Sequence, residues 1–377
     1  MRTRRPDSSF VFNHNKYRDM NSSRIPPLAR TLGAVGALGA LAWAGSATAS
    51  VQLYGAADSF LQYSRNAGQS SVRLLSGGAS TSRWGIAGVE DLGGGLHASF
   101  RLESGIDLMT GRQQSATSMY NREANIALSS EDWGIVKLGK QYPAIGPEST
   151  DPFLQVAQLS PFASTVLAVS DLGPGVTAVQ ARVNNAITYE TPSFGGLSVR
   201  TLYASRNAAG ASPNAGNIGA VANFARGPLQ LSGSYNAVWP TTAKTPGGVP
   251  DGPRTDMFMA SSAYAFGALQ GTFAYSMIRP TAPGTFVAQV FSLGAVWQHG
   301  PNVIRAGIAY RNVSGKADQA LGALLGYDYQ FSKLTGIYTR VGGFKNYGQS
   351  TIGFGSDPVT TPGASSLVVA LGIRQKF

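Results

Sequence analysis

The stretch LHASFRLE at residues 96–103 sets a base, a hydroxyl, a guanidinium and a carboxylate at alternate positions: His97, Ser99, Arg101 and Glu103. A histidine near a serine and a carboxylate is the residue set of nucleophilic hydrolysis. Alternate residues of an extended chain share a face, so these four point together, opposite Leu96, Ala98, Phe100 and Leu102. The hydrolase reading goes no further. His299, in the turn QHGP, is the only other histidine beyond residue 49, and it supplies no dyad. The glycines at 93–95 resemble a phosphate cradle, but they join two alternating segments with no helix after them, which is the setting of a hairpin turn. No cysteine is present, so thiolate metal sites and disulfides are excluded. No cofactor is expected. The chemistry that does recur is arginine on one face of strand after strand.

The elements that carry those arginines follow from composition. Charged residues make up 13% of 377, against the roughly 25% usual for soluble domains, and 47 residues are glycine. Residues 31–44 (TLGAVGALGALAWA) form an apolar run behind Arg24 and Arg30, followed by Ala47-Thr48-Ala49. That is the layout of an export leader cleaved after Ala49; the run is too short for a membrane helix. A start at Met20 would give a leader of ordinary length. The expected division is therefore 1–49 as extension and leader, and 50–377 as the mature domain. The formal charge of +11 falls to +6 once the leader's seven basic and two acidic residues are removed. That is too mild to indicate nucleic acid as a partner.

The mature chain alternates apolar with small or polar residues in segments of about ten, the period of strands. Leu53, Leu61 and Tyr63 oppose Gln52, Tyr54, Asp58 and Gln62, and Ile304, Ile308 and Tyr310 oppose Arg305 and Arg311. Seven short turns (near 91–95, 129–134, 191–196, 226–228, 265–268, 298–301 and 331–333) alternate with eight longer connections. The latter lie near 65–78, 106–119, 143–180, 207–216, 239–254, 279–286, 313–319 and 344–362. This predicts an all-β fold, a transmembrane antiparallel β-barrel of about sixteen strands, with short turns on one rim and long loops on the other. Backbone groups in hydrocarbon must all be paired, so the sheet has to close. A barrel of that size leaves a water-filled interior. Tyr63, Tyr203, Trp239 and Trp297, near strand ends, suit interfacial girdles.

Strand parity places Arg83, Arg101, Arg182, Arg200, Arg305, Arg311, Arg340 and Arg374 in the lumen, together with Asp58, Glu103 and Glu190. An arginine facing lipid at mid-depth would cost about 2–4 kcal/mol. The longest connection, from about 142 to 180, carries Glu148, Asp151 and Asp171 and no Lys or Arg. Its Phe153, Leu154, Val156, Leu159, Phe162, Val166 and Leu167 could pack one side against a wall; a connection this long usually serves function.

Four blocks, SVQLYGAADS, STSRWGIAGVEDLGGGLHASFRLESG, NREANIALSSEDWGIVKLGKQY and VNNAITYETPSFGGLSVRTLY, in that order and with a terminal Phe377, resemble the general porins of Gram-negative outer membranes, in their β-proteobacterial, Burkholderia- and Bordetella-like branch. The resemblance runs from residue 50 to 377. It implies a homotrimer of sixteen-stranded barrels, each with its own pore, whose third long loop folds into the lumen. It matches Arg83 and Arg182 to a basic cluster facing the acidic loop, and brings in Arg122 from the REANIAL block, although parity there turns Glu123 inward. Phe377 matches the signal read by the barrel-assembly machinery. The expected function is passive diffusion of small hydrophilic solutes and ions, charge-selective at the constriction with a mild anion preference, in an outer membrane of lipid and lipopolysaccharide. A substrate-selective porin would line its path with aromatic rows or a long basic ladder, and no aromatic ladder is visible. A barrel enzyme lacks its dyad, and an adhesin or receptor would need larger loops.

Overall fold

A computed structural model describes residues 50–205, 216–239 and 253–377. The expected leader, 1–49, lies outside the described residues, as does most of the connections near 207–216 and 239–254. The described chain is one antiparallel sheet of β1 (Ser50–Asn66), β2 (Gln69–Ser76), β3 (Arg83–Gly93), β4 (Leu96–Gly105), β5 (Glu123–Ser130), β6 (Gly134–Gln141), β7 (Val183–Glu190), β8 (Leu197–Ala204), β9 (Asn217–Arg226), β10 (Leu229–Val238), β11 (Thr255–Phe266), β12 (Leu269–Pro280), β13 (Ala288–His299), β14 (Asn302–Val313), β15 (Asp318–Gln330), β16 (Thr335–Tyr347) and β17 (Ser366–Lys376). From β3 onward each strand pairs with the next in sequence, β2 and β3 both pair with β1, and β1 pairs with β17 from Ala56↔Lys376 to Asn66↔Ser366, which closes the sheet into a barrel.

The seventeen segments make sixteen staves. Strand β2 pairs with the second half of β1, from Ser59↔Ser76 to Asn66↔Gln69, and β3 with its first half, from Ser50↔Val89 to Ala56↔Arg83. Together they form one stave interrupted at 77–82. Asp58, fully buried, holds the break open: its carboxylate accepts from the Gly78 and Ala79 amides at 2.9 and 3.1 Å and from the Tyr338 hydroxyl at 2.6 Å. The long connection expected near 65–78 is thus mostly strand. Ala67 and Gly68, both at positive φ, turn the chain in two residues, a geometry that Gly makes cheap.

The burial pattern inverts that of a soluble sandwich. In β1, Ala56, Asp58, Phe60, Gln62 and Ser64 are buried while Leu61 and Tyr63 are exposed. In β17, Leu367, Val369, Leu371 and Ile373 are exposed and Ser366, Val368 and Ala370 buried. Large apolar side chains left outside on most staves mark a surface that meets lipid. Tyr63, Tyr203 and Trp297 are exposed at strand ends, as interfacial girdles require, but Trp239 is buried, with the Arg254 guanidinium over its ring.

The segment 142–182 contains a short helix, α1 (Pro161–Leu167), with Ser160 capping its N-terminus through the Ala163 amide. Three apolar clusters join this segment to inward residues of the wall. Phe162, Val166, Leu172 and Val179 pack with Val238, Met257, Met259, Ile278 and Val290; Phe153 and Leu159 with Phe60, Leu324, Tyr338 and Phe344; and Ala144 with Leu202 and Val221. These contacts leave the inner faces of β3 to β6 half-exposed.

Candidate functional site

The inward arginines fall into two groups that do different things. On the half-exposed side, Glu103 is the hub. Its carboxylate takes Arg122 Nε at 2.6 Å, Arg83 Nε at 3.3 Å and the Tyr54 hydroxyl at 3.0 Å. Arg83 also donates to Ser80 Oγ and the Thr81 carbonyl. Arg101 contacts Glu123 at 3.4 Å, with its guanidinium over the Tyr54 ring. Arg182 stacks on the Tyr142 ring, and Arg122 donates to the Tyr142 hydroxyl. Arg200, directly opposite Glu190 in register, donates to the Pro143 carbonyl at 3.1 Å. Arg122 and Glu123 therefore both belong to this cluster of charges. Glu123 is the first residue of β5, and Arg122 precedes the strand, where alternation no longer dictates direction.

The second group holds the 142–182 segment. Arg311, fully buried on β14, makes a two-pronged contact with Asp171 at 2.6 and 2.8 Å and donates to the Ala168 carbonyl. Arg305 and Arg340 grip Asp328 from two sides at 2.7 and 2.6 Å, and Arg305 also donates to the Pro152 carbonyl. Arg374 stands opposite Asp58 in the β1–β17 register.

Two acidic residues of the segment are engaged too, Asp151 within the segment and Asp171 against the wall. Asp151, 2% exposed, accepts from the Phe153 and Gln155 amides and the Ser160 hydroxyl. Burial pushes its carboxyl up from the ordinary range. Asp171 is held by Arg311. Neither stands against the Glu103 hub, contrary to the expected face-off of acidic loop and basic wall. Glu148 is half-buried in a 3₁₀ turn and makes no ion pair among the described residues. His97 Nδ1 is 3.9 Å from Asp91, not paired with Ser99, and the Glu103 carboxylate is occupied by Arg83, Arg122 and Tyr54.

Sequence reasoning missed Lys137, which lies among Glu123, Arg200, Arg101 and Glu190. Its neighbours Val136 and Leu138 are apolar, so the same alternation that flagged the arginines marks it. It also missed Asp328, the counter-charge for two arginines. The half-exposed wall thus carries six cations (Arg83, Arg101, Arg122, Lys137, Arg182, Arg200) against four carboxylates (Asp91, Glu103, Glu123, Glu190).

A closed barrel with lipid-type apolar residues outside and an ionised inner wall is the form of a channel. The sequence model of the Gram-negative porin family matches residues 34–349. The chain belongs to that family. This porin is 31% identical to outer membrane porin protein 32 of Delftia acidovorans, over 90% of this chain and 98% of the relative. It is 27% identical to an outer membrane porin protein of Bordetella pertussis, over 92% of this chain and all of the relative. Its structure matches that of an anion-selective porin from Comamonas acidovorans with a TM-score of 0.73 at 28% identity, covering 87% of this chain and all of the other. A trimer form of OmpT of Vibrio cholerae shares the fold at a TM-score of 0.62 and 15% identity, over 87% of this chain and 99% of the other. The porin is an outer-membrane channel protein.

Proposed function

We propose that residues 1–49 export the chain, that Phe377 is read during barrel assembly, and that the mature porin forms a homotrimer among outer-membrane lipid and lipopolysaccharide. Its barrels pass small hydrophilic solutes and ions with a mild anion preference. The segment 142–182 lies in the lumen and narrows it against the basic wall of β3 to β8. The observation that carries this reading is the charge imbalance on that wall: six cations against four carboxylates, while Asp151 and Asp171 of the segment are already engaged. Fixed cations along a narrow aqueous path admit anions and repel cations, and arginine keeps its charge at every working pH. The porin from Comamonas acidovorans, named as anion-selective, supports the sign, and the trimer form of OmpT supports the assembly.

The test is the reversal potential of single channels in a potassium chloride gradient. Wild type should favour chloride. Arg101→Gln with Lys137→Gln should move the potential towards zero without closing the channel. A cation-selective wild type, or a double variant with unshifted potential, would falsify the charge reading.

A further inference from the structure

The last long connection, 348–365, hydrogen-bonds to residues 157–158 of the 142–182 segment, whereas the other such contacts, from the Phe286 amide to the Leu172 carbonyl and from Lys316 to the Asp171 carbonyl, fall at 171–172. The Gly355 amide donates to the Ala157 carbonyl at 2.9 Å, the Ser356 amide to the Gln158 carbonyl at 3.3 Å, and the Ser356 hydroxyl to the same carbonyl at 2.8 Å. A side chain at Gly355 would run into the Ala157 carbonyl, so glycine permits the approach. On its other side the connection is tied to the wall. Gln62 Nε2 donates to the Ser356 carbonyl at 3.3 Å, and Arg73 contacts Asp357 at 3.2 Å. Phe354, fully buried, seats its ring 4.9 Å from Phe344, in the cluster that also holds Phe60, Phe153 and Leu159. Asn346 closes the base, donating to the Ile352 and Ala364 carbonyls.

We propose that the channel width is set by two connections acting as one: residues 354–357 are positioning residues that clamp 157–158 to the β1–β2 corner of the wall. The inference rests on the reading that 142–182 narrows the lumen. The geometry explains how that segment is held where α1 does not reach. Arg311 and the wall of β10 to β14 fasten it on one side. Opposite, Phe153 and Leu159 share one cluster with Phe354 and Ile352 as well as with wall residues such as Phe60, Leu324 and Phe344. With the clamp gone, 152–160 keeps the contacts of Pro152 and Phe153 with the wall but loses the hold on 157–158, and its fluctuation enters the conducting path.

Three variants test this. Phe354→Ala with Ser356→Ala changes no charge, so any change in permeation reflects position alone. We expect single-channel conductance and open-channel current noise to rise, and discrimination between chloride and potassium to fall, while the barrel stays folded by heat-modifiable gel mobility. The chain has no cysteine, so Gln158→Cys with Ser356→Cys provides a single pair. Backbones joined by hydrogen bonds lie within the Cα separation of about 4.4–6.8 Å that a disulfide spans. That pair should oxidise in the folded barrel, with low noise when crosslinked and higher noise when reduced. Failure to crosslink overturns the proposal, as does wild-type conductance and noise in the alanine variant. Arg311→Met, which frees the segment on its other flank, separates the two readings. If it raises conductance while the alanine variant does not, only the clamp is wrong. If neither changes conductance, the constriction reading itself fails.

Discussion

The Asp151 carboxylate is buried inside the connection it stabilises and takes three donors, from Phe153, Gln155 and Ser160. Removing an acceptor from buried donors costs about 1–3 kcal/mol. Asp151→Ala should therefore loosen 151–160, read as faster limited proteolysis within it and noisier channel current. The sequence suggested instead a charge facing the pore, which would alter the field and leave order intact. The pH dependence follows from the direction of the shift. Desolvation raises the carboxyl of Asp151 in the folded protein, against the opposing pull of Ser160 and the two amides. The native state then holds a proton that the unfolded chain has released. Stability at this residue therefore rises as pH falls through the raised value towards the ordinary carboxylate range. Measured by denaturant unfolding at a series of pH values, the stability gap between wild type and Asp151→Asn should grow in favour of wild type on acidification across that window. A gap that shrinks would mean the carboxylate is held ionised.

At the scale of elements, the contact between β14 and the segment around α1 turns on one ion pair. Arg311 is fully buried and Asp171 mostly so. Removing one member of a buried pair costs about 3–5 kcal/mol because the other charge is left uncompensated, whereas replacing both with apolar residues is often neutral. Asp171→Asn should thus destabilise the docked segment, seen as raised conductance and easier cleavage near 168–175. Asp171→Leu with Arg311→Met should recover much of the loss; a double variant worse than either single would contradict the pairing. How legible these elements were depends on what alternation encodes. Parity sets Arg83, Arg101, Arg305, Arg311 and Arg340 on one face, since lipid on the other punishes any other choice. It does not reach Arg122, which precedes β5, and is silent on partners. That Glu103 rather than a loop carboxylate sits on Arg83 depends on the pairing of β3 with β4, set by long-range register. The two-residue turn at Ala67 and Gly68 was hidden because β2 is polar on both sides near its start, so the stretch had the composition of a loop. Trp239 looked like a girdle residue because neither its burial nor the Arg254 guanidinium over its ring shows in local sequence.

For the molecule as a whole, the decisive event is closure, and the seam lies between the first and last strands. Eleven residue pairs join β1 to β17, and the chain end extends the ladder: Gly55 donates to the Phe377 carbonyl at 2.9 Å and accepts from the Phe377 amide at 3.2 Å. The Phe377 ring lies over Gly55, where any Cβ would collide with the ring and with the Arg83 carbonyl. One glycine therefore lets three chain segments meet: β1, β3 and the terminus. A barrel has no partial credit for a nearly closed sheet, because an open edge in hydrocarbon leaves its amides and carbonyls unpaired. Gly55→Val should accordingly act on the yield of folded barrel more than on permeation. In refolding from denaturant into detergent micelles, with no assembly machinery present, the fraction reaching the heat-modifiable form should drop sharply. The channels that do form should keep wild-type selectivity, since the substitution changes no charge and the Glu103 carboxylate is held by Arg83, Arg122 and Tyr54. A variant that refolds at wild-type yield would show that the seam tolerates displacement of Phe377. Altered selectivity at normal yield would tie the seam to the arrangement of Arg83, whose carbonyl lies against Gly55.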